Sequence, residues 1–68
     1  MAQVALDADL LVEHLVDTLA DYEPSGSNDL AKRLNLPVLM IRNELVKLER
    51  HGIVYRTGQT RGTLWWLG

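Results

Sequence analysis

Between Leu34 and Val38 the chain reads Asn35-Leu36-Pro37, and no other stretch of its 68 residues constrains the fold as much. A proline disfavours helical geometry in the residue before it. Its own fixed φ suits the opening of a helix, where the missing N–H costs little. One helix must therefore stop ahead of Pro37, and another is free to start there. Upstream, Leu30 and Leu34 lie four apart and share a face, and Ser27 is placed to cap their helix through its hydroxyl. Downstream, Ile41, Leu45 and Leu48 recur at helical spacing and form one seam for burial. Gly52 ends this longer helix, as glycine does where the chain turns left-handed.

Two helices joined by such a turn make a helix-turn-helix, whose second helix enters the DNA major groove. The flanks complete the unit. Asp7 or Asp9 suits the start of an earlier helix, where acids also favour the helix dipole. Leu11, Leu15 and Leu19, with Val12 and Val16, form a continuous apolar face through about Tyr22. Glu23-Pro24-Ser25-Gly26 reads as a loop. After Gly52, residues 53–56 are β-prone, residues 57–62 form a glycine-bounded turn, and residues 63–67 supply a second strand rich in aromatic and branched side chains. The turn is longer than a two-residue hairpin loop and is expected to project as a flexible arm. Three helices followed by a C-terminal β-hairpin wing give an α+β winged helix-turn-helix. It occupies residues 1–68 as a single domain, with 1–6 as a flexible lead.

Charge is distributed in a way that the net value of −2 conceals. All seven basic residues (Lys32, Arg33, Arg42, Lys47, Arg50, Arg56, Arg61) follow Leu30. Before it lie seven acids and no cation, so residues 1–29 sum to −7; after it only Glu44 and Glu49 are acidic, so residues 30–68 sum to +5. Such a split points to nucleic-acid contact on one side of the molecule. The alternative is mutual neutralisation of the two halves across the fold. With no cysteine there is neither a disulfide frame nor a thiolate metal site, which is compatible with the cytoplasm. No apolar run approaches the ~18 residues of a membrane span, and no basic-then-apolar leader marks a signal peptide.

The motif DLAKRLNLPVLMIRNELVKLERHGIVYR followed by RGTLWWLG resembles the winged helix-turn-helix family over residues 10–67. Among small single-domain members it most resembles the fimbrial-operon regulators of the Pap and Fae type. Those end their wing with an arginine-glycine turn and a tryptophan-containing strand, like Arg61-Gly62 and Trp65-Trp66-Leu67 here. That resemblance implies a small DNA-binding co-regulator that helps another regulator select its sites. The stretch LNLPVLMIRNELVKLERHG with a later Leu64-Trp65 is also similar to Zα domains, which bind left-handed duplexes. Those rely on an asparagine and a tyrosine in the recognition helix. Aligned on Pro37, Ile41 and Leu45, these positions fall on Arg42 and Val46. Trp65 matches the wing tryptophan, but the prolines of that wing are missing. The departures at Arg42 and Val46 argue against Z-form binding.

With Ile41, Leu45 and Leu48 inward, a 100° step per residue turns Leu39, Asn43, Val46 and Arg50 outward, flanked by Arg42, Met40 and Lys47. Arg42 and Asn43 fall in the first half of the helix, where base edges are read. Arginine pairs twice with guanine and asparagine twice with adenine. Lys47 and Arg50 suit phosphates. Lys32 and Arg33 on the preceding helix suit the DNA backbone, and Arg61 at the wing tip suits the minor groove or a phosphate. The helix beginning near Ser27 also offers free N–H groups to a phosphate. Outward Leu39 and Val46 suit thymine methyls, or equally a protein-binding patch. Glu44 and Glu49 are placed to pair with Lys47, Arg50 or Arg42. Of Trp65 and Trp66, which alternate across their strand, one is expected to pack on the core or the recognition helix and the other to be at least half exposed.

Catalytic constellations are missing. His14 and His51 have no ligand partners at metal spacing, no glycine loop precedes a helix in the manner of a phosphate cradle, and Ser25 and Ser27 lack the partners of a nucleophile. The chain is therefore expected to be no enzyme and to need no cofactor, metal or small-molecule ligand. Its expected partner is double-stranded DNA, with a homodimer or partner regulator adding contacts. The competing reading is a protein-interaction winged helix that uses the outward apolar residues of the third helix.

Overall fold

The computed structural model describes residues 8–58 and 62–68. The expected lead at 1–6, a cap from Asp7 and residues 59–61 of the wing turn, Arg61 among them, lie outside the described residues. Three helices, α1 (Ala8–Tyr22), α2 (Ser27–Leu34) and α3 (Val38–Arg50), precede two antiparallel strands, β1 (Val54–Thr57) and β2 (Leu64–Leu67). This is the winged helix-turn-helix that the sequence predicts.

Each helix supplies the apolar stripe its spacing promises. Leu11, Leu15 and Leu19 of α1 meet Leu30 and Ala31 of α2 and Ile41, Leu45 and Leu48 of α3 in one core. Val54 and Trp65 close it from the hairpin. The hydrophobic effect contributes about 1.5–3 kcal/mol for each fully buried leucine-sized side chain, so this cluster supplies most of the drive to fold. No helix among the described residues is long and apolar enough to cross a membrane.

The helix ends differ in detail from the sequence reading. Ser27 is not the cap of α2: Gly26 holds that position with extended backbone, and no side chain caps the helix. The Ser27 hydroxyl is one residue too far into the first turn to serve. At the other end, Asn35 takes the left-handed conformation at φ 57°, while Leu36 N–H donates to the Ala31 carbonyl at 3.0 Å. The helix has thus turned off before the proline's influence on Leu36 is felt. Pro37, expected as the first helical residue, sits just ahead of α3 in extended geometry.

The end of α3 follows expectation. Gly52 has φ +76°, with Gly52 N–H donating to the Glu49 carbonyl and Ile53 N–H to that of Leu48. These are the paired bonds of a Schellman stop.

The loop between α1 and α2 contains a feature that composition did not show. Ser25 pairs with Trp65 as a one-residue antiparallel bridge, each N–H donating to the other's carbonyl at 3.2 and 2.8 Å. The Ser25 hydroxyl, buried, donates to the Tyr22 carbonyl. Glu23 accepts the Leu67 N–H at 3.0 Å. The hairpin is therefore fastened to the end of α1 along one edge of β2.

In the hairpin, Tyr55 faces Trp66 and Arg56 faces Trp65. Side chains alternate across a strand. Val54, Arg56, Trp65 and Leu67 turn towards the helices, while Tyr55, Thr57, Leu64 and Trp66 turn away. Trp65 is 3 % exposed. Trp66, expected at least half exposed, is more buried than that, because it stacks on Tyr55 with ring centroids 6.1 Å apart and its indole N–H donates to the Thr57 hydroxyl.

Two outcomes check this arrangement. Gly52→Ala lowers unfolding stability by about 1–2 kcal/mol, because a Cβ there meets open space and the left-handed backbone alone carries the cost; urea denaturation measures it, and a neutral change contradicts the geometry. In iodide quenching, Trp66→Phe leaves a blue-shifted, protected emission from Trp65. Trp65→Phe leaves a more accessible one, and the reverse order contradicts the register.

Candidate nucleic-acid interface

Burial of Ile41, Leu45 and Leu48 fixes the rotation of α3 about its axis, so the opposite face must meet solvent. Leu39, Arg42, Asn43, Lys47 and Arg50 are all exposed, Leu39 at 64 %. Val46 is half-buried beside them. Among the described residues no carboxylate pairs with Arg42, Lys47 or Arg50. The fold thus gathers three unneutralised cations and one amide onto a single helix face.

Lys32 and Arg33, on α2, are exposed as well. Lys32 stands beside the turn of Asn35, Leu36 and Pro37. Arg33 is committed to an intramolecular contact: its guanidinium carbon lies 3.6 Å from the centroid of the Tyr22 ring. A cation over an aromatic face is attracted by the ring quadrupole and keeps its charge. The contact ties α2 to the end of α1.

The acidic residues of α3 are corrected by the structure. Glu49 pairs with none of Lys47, Arg50 or Arg42. Lys47 and Arg50 are two and one residues from it and point elsewhere around the helix, since only neighbours three or four apart meet. Arg42 is seven away. Glu49 instead receives Arg56 of β1, whose Nε and Nη2 each donate to one carboxylate oxygen at 3.0 Å. Glu44 is half-buried and makes no ion pair among the described residues.

A groove of about 620 Å³ runs between the start of α2, the side of α3 and the wing. It is lined by Gly26, Ser27, Asn28 and Asp29, by Arg42 and Val46 of α3, and by Arg56, Gly62, Thr63, Leu64 and Trp65 of the hairpin. The uncapped first turn of α2 contributes to this lining, and its free N–H groups carry partial positive charge. Asp29 is the carboxylate within this groove. The arrangement offers hydrogen-bond donors and guanidinium groups to a polyanion on one side of the molecule.

Arg56, absent from the residues singled out in the sequence, belongs to this groove. Its signal was the alternation of the hairpin, which puts it on the same face as Trp65, across from α3. Asn28 was missed because its position follows from the turn between α1 and α2, which has no periodic pattern.

No family model matches the chain, and no curated protein matches it. Two solved structures do. The Zalpha domain of PKZ from Carassius auratus, in complex with Z-DNA, superposes with a TM-score of 0.84 at 20 % identity, covering 90 % of this chain and 97 % of that one. The apo-Zalpha of zebrafish PKZ superposes with a TM-score of 0.82 at 21 % identity, covering 88 % of this chain and 94 % of that one. Both likenesses extend over nearly the whole of each chain, and they establish that this protein has the winged-helix fold.

Proposed function

We propose that the protein binds double-stranded DNA sequence-specifically, as a small transcriptional regulator, with α3 in the major groove and the wing on the adjacent groove or backbone. One observation carries this reading: α3 turns Arg42, Asn43, Lys47 and Arg50 outward together, and no carboxylate among the described residues neutralises the three cations. Arg42 and Asn43 read bases, while Lys47 and Arg50, with Lys32 and Arg33 from α2, hold phosphates. Leu39 reaches a thymine methyl, and Arg61 extends the contact from the wing tip. DNA in complex with the Carassius auratus neighbour supports nucleic-acid binding on this scaffold. Arg42 and Val46 stand where Zα domains use asparagine and tyrosine, so right-handed DNA is the form proposed.

The resemblance to Pap- and Fae-type regulators supports a co-regulator that works in the cytoplasm with a partner or as a homodimer. A lone domain with few phosphate contacts binds weakly. Two copies would set their recognition helices about 34 Å apart, one DNA turn.

Titration of a mixed-sequence duplex by fluorescence anisotropy tests the proposal. Affinity falls steeply with salt, with a logarithmic slope of about −0.9 per phosphate contacted. Arg42→Ala costs about 1–3 kcal/mol on the preferred sequence and relaxes selection there. Lys47→Ala weakens all sequences alike and lowers the salt slope by about one. Absence of binding at about 50 mM salt overturns the reading. Preference for a CG-repeat duplex held in the left-handed form overturns the right-handed assignment.

A second reading has its own observation. Val38, Leu39 and Met40 are all exposed at the start of α3, an apolar run suited to a protein partner. Arg42→Glu separates the two, because it abolishes DNA binding and leaves an apolar interface in place.

A further inference from the structure

We infer that Arg56 is a phosphate-binding residue of the groove, presented to the DNA backbone by Glu49 while still paired with it; this rests on the duplex-DNA reading above. A guanidinium has five N–H donors in a rigid plane. Glu49 takes one from Nε and one from Nη2, both at 3.0 Å, along one edge of that plane. Both donors of Nη1 and the second of Nη2 are left, and Nη1 has no partner among the described residues. One hydrogen of Nη1 and the free one of Nη2 point the same way and form the terminal edge of the guanidinium, a second two-pronged face that matches a phosphate as well as the first matches a carboxylate.

Position and restraint agree with this use. Arg56 lines the groove together with Arg42 and the uncapped start of α2, Asn28 and Asp29 included. Its guanidinium carbon lies 5.2 Å from the centre of the buried Trp65 ring. The carboxylate on one side and the indole beneath hold the group in one orientation before any ligand arrives. Little rotamer freedom is then lost on binding. The side chain remains 48 % exposed and Glu49 30 %, so solvent and phosphate both reach the pair. The carboxylate offsets the charge of Arg56 but leaves its free edge available for a directed contact.

The salt dependence of duplex binding decides the matter, since it counts phosphate contacts. Arg56→Gln is expected to weaken binding several-fold and to reduce the magnitude of the logarithmic salt slope by about 0.9, one contact. Arg56→Lys, which keeps the charge and loses the fork, is expected to keep the slope and bind more weakly than the parent. Glu49→Gln is expected to leave the slope unchanged, because Arg56 already engages a phosphate in the parent. An unchanged slope in Arg56→Gln, alongside a reduced one in Lys47→Ala, overturns the inference and leaves the DNA reading intact. A slope steeper by about one in Glu49→Gln also overturns it, since the pair would then have silenced Arg56. A lysine variant equal to the parent in affinity overturns the two-pronged geometry. Failure of the parent protein to bind any duplex at low salt removes the underlying reading instead. Circular dichroism melting of each variant verifies the fold, which an exposed ion pair of this kind supports only slightly.

Discussion

The placement of Trp65 is the constraint on which the rest of the molecule depends. Its side chain fills the core between the three helices, and its backbone exchanges both hydrogen bonds with Ser25. A two-stranded hairpin alone is marginal in water. Here the indole buries a large apolar area while the one-residue bridge to Ser25 covers the other edge of β2. Those two interactions, with the Leu67 N–H held by Glu23, fasten the wing to the helical part. Because the wing is fixed, the groove between it and α3 has a defined shape and Arg56 has a defined place within it.

The geometry reconciles an acidic chain with the polyanionic ligand proposed for it. The face of α3 is set by burial of Ile41, Leu45 and Leu48, and every residue of that helix follows from their rotation. The acids Glu13, Asp17 and Asp21 are exposed on α1, a different helix. Net charge governs solubility and long-range association, whereas contact is decided by the local field. Two cations are nevertheless engaged within the fold, Arg33 by Tyr22 and Arg56 by Glu49. A count of basic residues therefore overstates the freely disposed charge. Asp29, on the groove's edge, reduces it further at that point.

Much of this architecture was legible in the chain because the signals were local and repeated. The leucines of α1 and the seam of α3 recur at helical spacing. Gly52 marks a left-handed stop, and the aromatic run at Trp65 marks a strand. Contacts between elements were less visible. Nothing in Glu23-Pro24-Ser25-Gly26 announces that Ser25 bridges to a residue 40 positions later. Glu49 looked available to the bases of its own helix, yet its partner comes from β1, seven residues on and past a reversal of the chain. Ser27 had the right chemistry for a cap and lay one residue too late, an error of the size that helix ends always carry. On the face of α3 the orientation of each side chain was readable, because it depends on one angle. Which cations were already engaged depended on tertiary contacts.

The turn between α2 and α3 has a further consequence for how such a chain can diverge. Only Asn35, Leu36 and Pro37 separate the helices, and Asn35 is already left-handed while Pro37 is already extended. No slack remains to absorb a length change. An inserted or deleted residue would swing the following helix by about 100° about its axis, or force the seam of Ile41, Leu45 and Leu48 out of register. Descendants of this chain are thus free to exchange the letters displayed on the outer surface of α3, and so to acquire new preferences, while the spelling of the hinge before it stays fixed in number.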